Sequence, residues 1–215
     1  MSIDFELTSE QKMIQKTVRQ FAQEVLKPVI AKADREQDPQ KAFQMMKAPY
    51  KEAYKLGIAM SFLPKEYGGG GISNLDLQVA AEEISAVDPG FACIILVNGL
   101  ALMPVAWYGS KEQKRKWLGA ATSDPKAEFL AGWTVSEPPG SPGGTANFDH
   151  AGAHPVGIGV TADLDKGKGE YVINGRKFWP SSSGGWDLKG ADLNTLIVRT
   201  DRKKGGKSGL GCVVV

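Results

Sequence analysis

Apolar residues recur at helical spacing before Pro125 and in short β-prone runs after it. In the first part, Ile14, Val18, Phe21 and Val25 are separated by steps of 4, 3 and 4 positions, which places them on one face of a helix. In the second part, runs of β-branched and aromatic residues alternate with turns rich in Gly and Asp. The pattern predicts a helical region followed by a β region.

The helical region is predicted to contain five helices. The first begins at Thr8, because Thr8 and Gln11 have the spacing of a capping box, and Pro28 ends or kinks it before a loop over residues 32–40. The other predicted helices are residues 41–56, a helix from Ser73 or Asn74 to Val87, an apolar helix over residues 91–108, and residues 111–121. Since the fourth is apolar nearly all round, we expect it at the centre of a bundle.

The β region is predicted to contain strands at residues 128–135, 157–164, 171–179, 195–200 and 209–215. Asn174-Gly175 lies between two β-prone runs, and Asn-Gly is the preferred two-residue hairpin turn. Because no helices separate the strands, we expect an antiparallel sheet that forms a small barrel or sandwich. The expected fold class is α+β, with domains at residues 1–126 and 127–215, and the apolar run at 213–215 predicts a β domain that is incomplete, since an open edge needs a cover.

Composition and charge are those of an ordinary globular protein. Apolar residues make up 42% and charged residues 23%, and the formal net charge of +2 comes without a concentrated basic face, which argues against a nucleic-acid partner. Two cysteines are too few for a disulfide framework, which favours a reducing compartment such as the cytoplasm. Asn98, Gly99 and Pro104 interrupt the apolar helix, so we expect it to be buried in the protein and not to span a membrane.

Two further motifs could suggest phosphate or metal binding. The glycine run at residues 68–71 lacks the Lys-Ser/Thr that follows it in a P-loop, so a phosphate role is disfavoured. His150 and His154 are four positions apart, a spacing that suits a metal ion only on a helix, and the Gly and Pro around them oppose a helix. We therefore interpret them as loop histidines and expect no metal site.

Six short motifs, in order along nearly the whole chain, resemble the acyl-CoA dehydrogenase family. They are FELTSEQ (residues 5–11), LPKEYGG (63–69), AEEI (81–84) with Asp88, YGSKEQK (108–114), TVSEP (134–138) and NGRKFW (174–179). The resemblance implies a helical domain, a middle β domain and a C-terminal four-helix domain that lies outside this sequence. It also implies FAD as cofactor, α,β-dehydrogenation of an acyl-CoA thioester, and an electron-transferring flavoprotein as the electron acceptor.

The same resemblance implies which residues contact the flavin. Trp179 matches the family aromatic that packs against the isoalloxazine ring, and Ser181 stands in the place of a Thr that contacts the reactive edge of the ring. Val135 and Ser136 match residues on the pyrimidine side, and Trp133 matches an aromatic nearby. A flavin needs an apolar platform and a few hydrogen-bond donors, which these residue types supply. Without the family context, a Trp at a strand end is more often hairpin packing.

Two loops depart from the family pattern. A family serine that meets the cofactor pyrophosphate or the substrate maps to either Ser141 or Thr145. Pro180 removes a backbone donor next to Ser181, and residues 186–190 lengthen the turn that follows. These departures leave room for other chemistry on the same fold, as in nitroalkane oxidases and flavin monooxygenases.

No catalytic residue is assigned, because the general base of the family is a Glu from the C-terminal helical domain. Leu100, Leu102 and Met103 are candidates for the wall of an acyl-chain site and are equally ordinary core residues, so the acyl group stays open. Alone, a chain without the base is expected to be inactive. The alternatives are a split or non-catalytic subunit that scaffolds a partner chain in a homo- or hetero-oligomer, and a helical interaction module without a cofactor.

Overall fold

The computed structural model describes residues 6–138 and 157–215. In this part of the chain, seven α-helices precede five β-strands, which confirms the α+β class. The helices are α1 Ser9–Phe21, α2 Lys27–Ala33, α3 Pro39–Met45, α4 Lys47–Lys55, α5 Asn74–Ser85, α6 Pro89–Tyr108 and α7 Lys111–Thr122. The strands are β1 Ala131–Thr134, β2 Thr161–Asp165, β3 Glu170–Asn174, β4 Leu193–Arg199 and β5 Leu210–Val214.

Polar side chains fix where several helices begin. The Thr8 hydroxyl accepts a hydrogen bond from the Gln11 backbone N–H (3.2 Å), and the Gln11 side chain accepts one from the Thr8 N–H (3.0 Å). This reciprocal pair confirms the predicted capping box. Ser110 and Gln113 form the same pair at the start of α7. The helix starts are therefore local properties of the sequence.

Two helix boundaries differ from the predicted ones. Pro28 does not end the first helix, because a π-helical turn at Ala22–Leu26 leads directly into α2, and Pro28 lies in the first turn of α2, where its missing donor costs little. The predicted helix at 41–56 is two helices, since Asp38 caps α3 before the expected start and the chain turns at Met46.

The sheet is mixed, so the prediction of a wholly antiparallel sheet is wrong. Strand β4 pairs in parallel with β1, where Leu193 lies beside Ala131, and with β2, where Arg199 lies beside Thr161. Strand β3 is antiparallel to β2, and β5 is antiparallel to β4. A long path through β2 and β3 separates β1 from β4 in the chain, and such a crossover permits the parallel pairing.

The predicted hairpin at Asn174-Gly175 is also wrong. The hairpin instead joins β2 to β3 through a turn at residues 166–169. In this turn, the Asp165 carboxylate accepts hydrogen bonds from the backbone N–H groups of Gly167 and Lys168. At Gly175, where φ is +134°, a Cβ atom would lie 2.7 Å from a side-chain carbon of Val160. The glycine is therefore required by close packing at the end of β3, where the chain leaves the sheet.

The hydrophobic core crosses the boundary between helices and sheet. One cluster combines helical residues such as Phe91 with Leu130 and Trp186, and a second combines Leu102 and Leu118 with residues of β1 and β4. Helix α6 contacts α5, α7, β1 and β4, which agrees with the predicted central helix. Within the described residues it is also the one helix long and apolar enough to cross a membrane by length and composition, with half of that stretch buried inside the protein. The helical part before residue 126 and the β part after it thus contribute to the same hydrophobic clusters.

Candidate functional site

A groove with a volume of about 390 Å³ lies where α6 meets the sheet. Its lining is aromatic and apolar with two hydroxyl side chains. The lining residues are Val97, Leu100, Trp133, Val135, Ser136, Phe178, Trp179 and Ser181. The structure therefore brings together residues from three distant stretches of the sequence.

Trp179 and Phe178 form the most aromatic side of the groove. Their rings meet edge to face, with centroids 5.5 Å apart and planes at 71°. Trp179 has a backbone φ of +53° and is 70% exposed, so it does not pack in a hairpin. The Phe178 N–H donates to the Ser136 carbonyl (2.8 Å), which joins this side of the groove to the segment after β1.

A buried ion pair holds the same two segments together behind the groove. The Lys177 ammonium donates to the Glu137 carboxylate (3.1 Å) and to the Val135 carbonyl (2.9 Å). Glu137 also accepts hydrogen bonds from the N–H groups of Gly159 and Val160, both at 2.9 Å. Burial lowers the pKa of Lys177, and the hydrogen bond that its ammonium donates to Glu137 opposes that shift. The pair anchors Val135 and Ser136 against Phe178.

The helical side of the groove comes from α6. Val97 and Leu100 are one helical turn apart, and Leu100 is 57% exposed toward the groove region. Leu102 is fully buried in the core, and Met103 packs partly buried against the same cluster. Of the three sequence-predicted acyl-wall residues, only Leu100 lines the described groove. Leu102 belongs to the core, and Met103, one turn after Leu100, packs against the same core cluster.

Six of the residues singled out from the sequence line this one groove. They are Leu100, Trp133, Val135, Ser136, Trp179 and Ser181. Ser141, Thr145, His150 and His154 lie outside the described residues. Sequence reasoning missed Val97 and Phe178 as lining residues, although Val97 stands one turn before Leu100 and Phe178 directly precedes Trp179. It also missed the Glu137–Lys177 pair, for which the sequence holds no signal, since the two residues are forty positions apart.

The described lining contains no carboxylate. Glu137 lies next to Ser136 in the sequence, but its side chain is 2% exposed and is engaged by Lys177 and two backbone N–H groups. Glu83 is similarly held by Arg19 on the far side of α5. The described lining of the groove can bind and orient a flat ligand, and it offers no carboxylate as a general base.

The fold and the groove together define the class of this protein. It is a helical bundle that shares its core with a small mixed sheet and has an aromatic groove at their junction. The chain belongs to the acyl-CoA dehydrogenase family: the family model for the acyl-CoA dehydrogenase N-terminal domain matches residues 8–124, more than half of the chain. The matched segment ends just before β1 and covers all seven helices.

Known relatives extend the similarity into the sheet. Over 197 residues the chain is 34% identical to a nitroalkane oxidase of Fusarium oxysporum, which covers 92% of this chain and 43% of that protein. A solved nitroalkane oxidase mutant crystallized with 1-nitrooctane superimposes with a TM-score of 0.83 at 30% identity, over 99% of this chain and 49% of that one. An acyl-CoA dehydrogenase of Bacillus anthracis complexed with FAD gives a TM-score of 0.73 at 28% identity, over 98% and 31%. The chain spans about half the length of the nitroalkane oxidases that it matches.

Proposed function

We propose that this chain forms the helical and β walls of an FAD-dependent oxidoreductase, with the flavin ring in the groove between α6 and the segment after β1. The observation that carries the proposal is the convergence of Trp133, Phe178 and Trp179 with the hydroxyls of Ser136 and Ser181 in one groove. An acyl-CoA dehydrogenase relative is complexed with FAD, which supports this choice of cofactor.

The residues of the groove fit a flavin ring by their chemistry. The ring has apolar faces and polar edges, so it suits a site with aromatic surfaces and a few hydroxyl groups. Trp179 is exposed and free of core packing, and it would cover one face. Ser136 and Ser181 would meet the polar edges, and Val97 with Leu100 would exclude water.

When bound, FAD would supply the hydride- and electron-accepting chemistry of the reaction. The first candidate reaction is α,β-dehydrogenation of an acyl-CoA thioester, which the family membership supports. On this chain the groove residues would bind and orient the reactants, and the base that removes the α-proton would come from another segment or subunit, since the described lining offers no carboxylate. An electron-transferring flavoprotein as electron acceptor and a homo- or hetero-oligomeric assembly belong to the same proposal.

Oxidation of a nitroalkane is the second candidate. It is favoured by the 34% identity to a nitroalkane oxidase and by the higher TM-score, 0.83 against 0.73. The two candidates share one requirement, because each substrate has an acidic C–H bond next to an electron-withdrawing group. The split or non-catalytic subunit remains the alternative, in which this chain scaffolds a partner chain that brings the base.

The experiment that separates these candidates is anaerobic reduction of the FAD-loaded gene product. Loss of the visible flavin absorption on addition of octanoyl-CoA, and not of 1-nitrooctane, supports the dehydrogenase. The reverse result supports the nitroalkane oxidase, and bleaching by neither is the result expected of a subunit whose base is brought by a partner chain. Cytoplasmic localisation is proposed as well, since Cys93 and Cys212 are exposed free thiols.

A further inference from the structure

The two walls of the groove belong to different parts of the fold. Val97 and Leu100 of α6 form one wall, and Trp133, Val135 and Ser136 in and after β1 form part of the other. More than thirty residues separate the two walls in the sequence, from Leu100 to Trp133. The packing of α6 against β1 therefore sets the width of the groove.

A buried polar cluster, here named the Tyr50–Asn98 clamp, lies at this contact. Asn98 stands between the two wall residues of α6 and donates from Nδ2 to the hydroxyl of Tyr50 on α4 (2.8 Å). Its Oδ1 accepts a hydrogen bond from the N–H of Ala131, the first residue of β1 (2.8 Å). The Tyr50 hydroxyl donates to the carbonyl of Phe129. Both clamp side chains are 0% exposed.

The clamp has the properties of a device that fixes position. Hydrogen bonds require a narrow range of distance and angle, whereas apolar contacts permit a helix to slide on a sheet. A fully satisfied polar cluster in a low-dielectric interior therefore specifies one arrangement of its elements. Burial raises the pKa of Tyr50, so its hydroxyl stays protonated as a donor throughout the neutral range.

Neighbouring contacts reinforce the same junction. The Thr195 hydroxyl of β4 donates to the carbonyl of Ala101 (2.7 Å), which is one helical turn beyond Asn98. The Trp186 ring packs edge to face on Tyr50 with centroids 5.3 Å apart, and its indole N–H donates to the Glu128 carbonyl (2.7 Å). The clamp thus lies inside a set of contacts that all join α4 and α6 to the start of β1 and to β4.

We infer that Asn98 and Tyr50 are positioning residues for the flavin groove: they hold α6 at the spacing from β1 that the ring requires. The ligand in this inference rests on the proposed function, but the mechanical role of the clamp does not. Neither side chain touches the groove, so both act through Val97, Leu100 and Trp133.

Tyr50→Phe tests the inference with a matched control in Tyr54→Phe. Tyr50→Phe removes one hydroxyl and keeps the ring that packs on Trp186. The Tyr54 hydroxyl has the same bonding pattern, since it donates to the Ala121 carbonyl (2.8 Å) and accepts from the Asp124 N–H (2.9 Å). It joins α4 to the end of α7, and Tyr54 is not among the described lining residues of the groove.

In the FAD-loaded gene product, Tyr50→Phe is expected to weaken FAD binding by about five- to tenfold, because a buried donor and a buried acceptor lose their partner. It is also expected to shift the visible absorption bands of the bound flavin, which a general loss of stability would leave in place. Tyr54→Phe should change neither quantity. Equal effects of both variants, or unchanged FAD binding in Tyr50→Phe, would overturn the inference.

Amide hydrogen exchange gives a readout that does not depend on the cofactor. If the wild-type gene product binds no FAD, the proposed function fails, and the clamp is then judged from exchange at residues 131–134 alone. Faster exchange there in Tyr50→Phe than in Tyr54→Phe supports the clamp. The same exchange rates in both variants reject it.

Discussion

At the scale of single residues, the partners of buried charges decide what each carboxylate can do. Glu137 belongs to a family-like motif and lies beside the groove, and the sequence alone gives no warrant for assigning it as the catalytic base. The structure satisfies it with Lys177 and two backbone N–H groups. Removing one partner of such a pair leaves an uncompensated buried charge. Glu137 and Lys177 therefore have a structural role, because each compensates the charge of the other.

The sequence could not predict this use, because pairing is a property of the tertiary fold. The types of the groove residues, by contrast, were predictable from the motifs around Ser136 and Trp179. Leu102 shows the limit of that approach, since it lies two positions from Leu100 in the sequence while the fold buries it in the core. Local patterns identify candidates, and packing selects among them.

Glu83 provides a pH-dependent prediction at the same scale. Two hydrogen bonds from Arg19, of 2.7 and 2.6 Å, lower the pKa of Glu83 from its ordinary value of 4.5. Because the folded-state pKa is depressed, the stabilisation is fully present above pH 4.5 and is lost as the pH falls through the folded-state value. On acidification below pH 4.5, the free energy of unfolding should therefore fall less for the Glu83→Gln variant than for the wild type.

Denaturant titrations at several pH values measure this difference, and Glu82→Gln is the control. Glu82 neighbours Glu83 on α5 but is exposed. Glu82→Gln keeps the Arg19–Glu83 hydrogen bonds, so the stabilisation by that pair should be lost on acidification as in the wild type. A Glu83→Gln profile that runs parallel to the wild type below pH 4.5 would contradict the role assigned to the Arg19 pair.

At the scale of elements, the sequence predicted helices better than strand pairing. The Thr8 and Ser110 caps act over three residues, so local sequence suffices to place them. The prediction of a hairpin turn at Asn174-Gly175 was wrong because the glycine is required for another purpose, the close approach of Val160. The parallel pairing of β1 with β4 joins residues about sixty positions apart, and short-range patterns carry no information on such contacts.

Gly69, the last residue of the LPKEYGG motif, yields an element-scale prediction. A Cβ atom at Gly69 would lie 2.1 Å from the Leu63 carbonyl oxygen, so Gly69→Ala must displace backbone. We expect it to lower the free energy of unfolding by about 2–4 kcal/mol. Gly119→Ala in α7, where nothing lies within 4 Å, should instead raise it by about 0.5–1 kcal/mol.

Chemical denaturation of both variants checks this pair of expectations. The two substitutions add the same methyl group and differ only in surroundings, so the opposite signs isolate the close packing of the turn. Equal effects on the free energy of unfolding would show that the Leu63–Gly69 turn has room that the structure does not indicate.

At the scale of the whole molecule, the chain consists of two parts that share a core and leave one aromatic groove at their junction among the described residues. The family resemblance predicted the order of the parts and six of the eight lining residues. It could not predict that α6 supplies a wall through Val97, because that depends on how the helix rotates against β1. The groove is thus a product of the assembled fold, and its proposed ligand is the central claim.

The measurement that tests this claim most directly is the FAD affinity of Trp179→Ala compared with Trp107→Ala in the gene product. Both tryptophans are largely exposed, at 70% and 64%, but only Trp179 lines the groove. The account predicts that Trp179→Ala weakens FAD binding by about five- to tenfold through loss of aromatic contact, while Trp107→Ala binds FAD as the wild type does. Equal FAD affinity in the two variants would contradict the placement of the flavin against Trp179.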